Sequence, residues 1–143
     1  DLDQARETSD KNPVFYLQYA HARIQSILRK AAEVANEADT APADPSAAEP
    51  DLTALTHSSE LTLVRSILGF PDAIESAAST REPQKLIHYL QQLASDFTGF
   101  YHDCRILGEP DAIRTARAAL AQTTAQVLKN GLTILGISAP DRM

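Results

Sequence analysis

The chain has 143 residues and a mass of 15.5 kDa, enough for one domain with a sizeable core. Apolar residues make up 43% and charged residues 22%, which excludes a chain that is mostly without structure. The net charge of −6 speaks against an anionic partner for the chain taken whole, and a single cysteine, Cys104, excludes an internal disulfide framework or a cysteine-built zinc site. No run approaches the roughly 20 apolar residues of a membrane helix, and the N-terminus does not read as a signal peptide. The chain opens on Asp1 with helix-forming residues already running, so it reads as part of a longer protein.

Taken in chain order, Asn12-Pro13 predicts a helix start, a capping side chain followed by proline in the first turn. Leu17, Ala20, Ile24, Ile27, Ala31 and Val34 then recur at steps of three and four, the pattern of one buried stripe. The stretch 37–57 is rich in Ala, Pro, Asp and Thr, and residues 37–60 hold six acids and no Lys or Arg. It reads as a long, acidic, mobile and disordered-like loop, and it carries the charge that makes the whole chain acidic. Without it the body is near neutral, which permits a nucleic-acid partner without pointing to one.

After Ser58-Ser59 a second helix is expected, with Leu61, Val64, Ile67 and Leu68 inward and Gly69 as its stop. A short third follows from Pro71 to about Ser79, with Ile74, Ala77 and Ala78 inward. The fourth starts near Pro83 and carries Leu86, Leu90, Leu93, Phe97 and Phe100 as a clean stripe, flanked by Ile87, Ala94 and Tyr101. Gly108-Glu109-Pro110 is a turn, and a fifth helix runs from about Asp111 with Ile113, Ala116, Leu120, Ala121, Thr124, Val127 and Leu128 on one side. Asn130-Gly131 either ends it or is absorbed, the helix then continuing through Leu132, Ile134 and Leu135. Strand alternation is absent. The fold class is therefore all-α, a bundle of four to five helices forming one domain over 1–143.

Catalytic motifs are missing: no phosphate-binding glycine loop, no nucleophile elbow, and no histidine pair at metal spacing. His21, His57, His88 and His102 lie far apart, so neither a metal nor a catalytic residue is expected. The feature that stands out is on the first helix, where Tyr16, Tyr19, Arg23 and Lys30 share a face beside the core stripe. Tyrosines stack on bases while an arginine reaches phosphate or a base edge, the usual grip on single-stranded RNA. Tyrosines at a bundle's margin serve equally well as half-buried packing residues, and spacing alone favours that role. His21 reads as a satisfied polar residue beside a helix seam, and Cys104 as a small buried hydrophobe. The closing run Ser138-Ala139-Pro140-Asp141-Arg142-Met143 is either a frayed end or a proline-stiffened one that holds a carboxylate and a methionine in place.

The run Asn12-Pro13-Val14-Phe15-Tyr16-Leu17-Gln18-Tyr19-Ala20-His21-Ala22-Arg23-Ile24 resembles the opening of the C-terminal anticodon-binding (DALR) domain of bacterial-type arginyl-tRNA synthetases. Phe100-Tyr101-His102-Asp103-Cys104-Arg105-Ile106-Leu107 resembles a later stretch of that domain, and Ala139-Pro140-Asp141-Arg142-Met143 its close. The resemblance implies a helical module that docks the anticodon stem-loop of arginine tRNA onto a class I arginine–tRNA ligase. It places the RNA contacts on Tyr16, Tyr19, Arg23, Tyr101 and Met143. The implied partners are arginine tRNA and the catalytic domain of the same parent chain, in the cytoplasm, with neither DNA nor a membrane. The parent would use ATP and magnesium. No cofactor is expected in this domain, which should be inactive alone. The alternatives are a helical protein–protein interaction module, the equivalent domain of a cysteinyl-tRNA synthetase, and a small-molecule enzyme on a bundle. The Asn12-Pro13 opening and Arg142-Met143 close speak against the second, and the third lacks any cluster of titratable residues.

Overall fold

The computed structural model describes residues 11–38 and 49–143, with no side-chain description at 35–38. Five α-helices and one 3₁₀ turn make up the described secondary structure: α1 (Pro13–Ala38), the 3₁₀ turn (Leu52–Ala54), α2 (Ser58–Leu68), α3 (Phe70–Thr80), α4 (Pro83–Asp103) and α5 (Asp111–Ile134). The all-α expectation holds, with no strand among the described residues. No described helix is long and apolar enough to cross a membrane.

Each boundary has a local cause. The Asn12 side chain accepts the Val14 N–H at 3.1 Å, which starts α1. At α2, His57 Nδ1 accepts the Ser59 N–H at 3.2 Å while Glu60 accepts the His57 N–H at 2.8 Å, a capping box with histidine in the cap. Prolines sit in the first turns of α3 and α4, where a missing N–H leaves no helical bond unmade.

Helix α4 is the centre. α1, α2, α3 and α5 all pack on it, and α1 also lies along α5. Its predicted stripe is the core: Leu86, Leu90, Leu93, Ala94, Phe97 and Phe100 are all buried. The Tyr89 hydroxyl, half-buried and pushed up to about 12 by that burial, donates to the Ser66 carbonyl at 2.8 Å and ties α4 to the end of α2. The glycine in α5 is absorbed. A Cβ at Gly131 would lie 2.5 Å from Leu90 Cδ2, so the glycine lets α5 approach α4. Gly131→Val is expected to lower stability by about 1–3 kcal/mol through overpacking, read as a lower urea midpoint with an unchanged slope.

Three expectations need correction. In α2 the inward residues are Glu60 and Leu63, with Val64 and Ile67 half-buried, while Leu61 and Leu68 are 38% and 70% exposed. The buried face begins on a carboxylate because α5 supplies its counter-ion: Arg117 Nε donates to Glu60 Oε1 at 2.6 Å. Ala78 and Val34 are exposed, each lying past the edge of the face its helix buries. The mobile loop predicted over 37–57 is too long at both ends. α1 reaches Ala38, 39–48 lie outside the described residues, and 49–57 are held. There the Asp51 carboxylate accepts the Thr53 N–H and hydroxyl at 3.0 and 2.6 Å, and Leu55 is buried in the core.

Candidate nucleic-acid interface

The site begins where α5 ends. Gly136 takes a left-handed φ of 72°, the Gly136 N–H bonds to the Thr133 carbonyl, and the Ile137 N–H reaches back to the Leu132 carbonyl at 2.8 Å. This is a Schellman close, and glycine is the residue that adopts it without strain. It turns the chain back against α1.

A row of α1 side chains then holds residues 138–141. Gln18 Nε2 donates to the Ser138 carbonyl and hydroxyl at 2.9 and 3.0 Å. His21 Nδ1 lies 2.9 Å from the Pro140 carbonyl, and Arg29 Nη1 donates to the Asp141 carbonyl at 3.2 Å. A carbonyl only accepts, so Nδ1 of His21 carries the hydrogen. The ring is fully buried, and Nε2 has no hydrogen-bond partner. His21 therefore sits at the α1–tail seam with half of its polar capacity used. The tail is held rather than frayed.

Residues 142–143 are thereby brought to the outer face of α1. Tyr19, Ala22, Arg23, Ser26, Arg29, Arg142 and Met143 line one open depression of about 390 Å³. Tyr19 is 48% exposed and Met143 57%, so an aromatic ring and a thioether border the hollow with much of their surface open. Three arginines line it and no Asp or Glu side chain does. The hollow therefore has a positive edge in a chain of net charge −6.

Of the expected contact residues, the structure brings together Tyr19, Arg23 and Met143. Tyr16 and Tyr101 do not line the depression. Both are half-buried against the core, and Tyr101 stacks on Phe97 with ring centroids 6.1 Å apart and planes 8° from parallel. Lys30 is exposed outside the hollow. Sequence reasoning missed Ser26, Arg29 and Arg142, and missed Gln18 and His21 as the residues that hold the tail. Ser26 and Arg29 follow Tyr19 at helical spacing and were findable; Arg142 joins them only through the tail's path.

Cys104 and Asp103 are engaged within the fold. Burial, with the neighbouring Glu60 charge, pushes the Cys104 thiol up, as expected of a small buried hydrophobe. Asp103 accepts a hydrogen bond from the Ser59 hydroxyl and a contact from His102, which hold its carboxyl below the usual range. No three His, Cys, Asp or Glu side chains among the described residues are grouped to hold a metal ion.

Comparison with known proteins gives consistent results. The model of the DALR anticodon binding domain matches residues 17–143. Arginine–tRNA ligase of Salinibacter ruber is 48% identical over the whole of this chain, which spans 24% of that protein's length. The structure of Thermus thermophilus arginyl-tRNA synthetase superposes with a TM-score of 0.76 at 33% identity, over 99% of this chain and 23% of that one. Arginyl-tRNA synthetase of Plasmodium falciparum, at 23% identity, shares the fold, with a TM-score of 0.69 over 97% of this chain and 22% of its own.

Proposed function

We propose that this chain, which belongs to the DALR anticodon-binding domain family, grips the anticodon stem-loop of arginine tRNA on the Tyr19 face of α1. The observation that carries the reading is the convergence of Tyr19, Arg23, Arg29, Arg142 and Met143 on one depression with no Asp or Glu side chain in its wall. A loop base stacks on the Tyr19 ring and packs against the Met143 thioether, while the guanidinium groups take phosphate oxygens or a base edge. Tyr16 and Tyr101 have the smaller share, because burial leaves each ring only partly open to a base. The three arginines are too few for tight binding alone, so affinity is modest and falls with salt. In this reading the domain works in the cytoplasm as part of an arginine–tRNA ligase. ATP and magnesium act on the catalytic part of that protein, and this domain needs no cofactor. Two apolar hollows, one lined by Leu52, Leu55, Val64 and Leu68 and the other by Ile74, Leu86 and Ile134, suit contact with the rest of such a chain.

The test is binding of an arginine-tRNA anticodon stem-loop at low salt, with a scrambled loop and a cysteine-tRNA loop as controls. Tyr19→Ala is expected to lose about 1–3 kcal/mol, roughly 5- to 150-fold in affinity. Arg23→Ala should also lower the slope of affinity against salt by about one. Equal binding to the scrambled loop, unchanged by Tyr19→Ala, would overturn the assignment. Preference for the cysteine-tRNA loop would move the domain to the other synthetase.

A further inference from the structure

Two of the seven residues lining the depression, Arg142 and Met143, come from a tail that has no secondary structure of its own beyond the Gly136 turn. Their position depends on what holds residues 138–141: Ala139 packs against the core, and the hydrogen bonds come from side chains of α1, Gln18 on Ser138, His21 on Pro140 and Arg29 on Asp141. These contacts differ in kind. Gln18 and Arg29 are partly open to solvent, where water competes for the same carbonyls. His21 is fully buried and Pro140 half-buried, so their bond is better shielded from water than the other two. Pro140 adds a fixed φ to the segment, so anchoring its carbonyl sets the direction in which 141–143 leave. The polarity of the anchor is also fixed, because only the Nδ1–H tautomer of His21 serves the carbonyl.

We propose that His21, supported by Gln18, is a positioning residue for the RNA site: it fixes the register of the tail on α1 and so presents Met143 beside Tyr19. The inference rests on the proposed function of the depression. His21 itself lies outside the hollow's lining and acts only through the tail.

The intact protein is labelled at its methionine methyl groups, with the Met143 resonance assigned by Met143→Leu, and its stem-loop affinity is measured in parallel. His21→Phe keeps a ring and removes the donor. His21→Asn restores an N–H near the place of Nδ1. Gln18→Ala removes two tail bonds from a partly exposed side chain, so a folding failure at the buried histidine does not leave the test empty. The expected result is that the Met143 methyl moves to its random-coil position in His21→Phe, shifts partly in Gln18→Ala, and stays in His21→Asn. Stem-loop affinity falls about fivefold in His21→Phe, the size of one lost hydrogen bond, and falls no further than Met143→Ala alone when the two are combined. A methyl resonance unmoved by His21→Phe and Gln18→Ala overturns the clamp, as does failure of His21→Asn to restore it. Release of the methyl with unchanged affinity, or full additivity with Met143→Ala, overturns its role in presenting Met143. If the wild-type protein binds no stem-loop, the reading of the depression fails and the presenting role with it, while the methyl resonance still decides whether His21 holds the tail.

Discussion

Arg117→Met is expected to destabilise the fold by about 3–5 kcal/mol at neutral pH, because it leaves a buried carboxylate without its counter-ion. Glu60 is 1% exposed, and Arg117 is its only salt-bridge partner among the described residues. The guanidinium also donates to the Arg105 carbonyl at 2.6 Å and lies 3.5 Å from Glu109, so one side chain of α5 ties α2 to the α4–α5 connection. Burial by itself raises the Glu60 carboxyl. The hydrogen bonds from Arg117 and the His57 N–H, with the guanidinium charge, outweigh it and hold the group below its ordinary 4.5. A depressed carboxyl stabilises the fold above its unfolded value, and that stability is lost as pH falls through the lower folded value. Wild-type stability should therefore begin to fall below about pH 4.5. In Arg117→Met the unpaired Glu60 gains from protonation instead, so the gap between the two proteins narrows in acid. Urea unfolding at neutral pH and at about pH 4 checks this, and Glu60→Gln combined with Arg117→Met should recover part of the loss. A gap under about 1 kcal/mol at neutral pH would mean that Glu60 reaches water once Arg117 is gone.

Phe100→Ala should cost about 3–5 kcal/mol, the range for deleting a buried aromatic side chain when its surroundings cannot close the space. Phe100 is fully buried near the C-terminal end of α4, with the Phe97 ring centroid 5.7 Å away, and its carbonyl accepts the Cys104 N–H at 2.8 Å where the helix ends. Four other helices pack on α4, which limits how far the surroundings can close on the cavity. Phe100→Leu keeps most of the volume and should cost clearly less. The check is a urea midpoint that falls in that order with a common slope. Because the ring is fully buried and does not line the depression, Phe100→Leu should leave the Tyr19 face and its stem-loop affinity as they are. Loss of RNA binding in a folded Phe100→Leu protein would show that the core is coupled to the site.

Helix α4 was legible because it is packed on several sides by helices that all prefer hydrocarbon, so its stripe has no rival reading. α2 was not legible in the same way. Its four best apolar candidates included two exposed leucines, and a glutamate took the buried place, which becomes stable only against an arginine 57 residues away. The long acidic loop was over-extended for a related reason: Leu55 looks like part of a polar stretch until α2 and α5 offer it a wall. At the site, spacing identified Tyr19 and Arg23 on one face but included Tyr16, since helical periodicity gives the angle of a residue and not the depth to which a neighbour covers it. Met143 was carried by resemblance, and no local pattern places a terminal methionine beside a tyrosine 124 residues earlier.

The sequence by itself determined the all-α class, the helix starts at Asn12, Pro71 and Pro83, the turn at Gly108-Glu109-Pro110, and the central stripe of α4. Caps, proline geometry and periodicity act over a few residues and need no distant partner. Only the tertiary structure decided that Glu60 is buried, that Gly131 is a point of close approach, and that three arginines and a methionine meet at Tyr19. Each of these depends on the close approach of segments distant in sequence: desolvation, steric fit and charge convergence are properties of space that the order of residues does not carry.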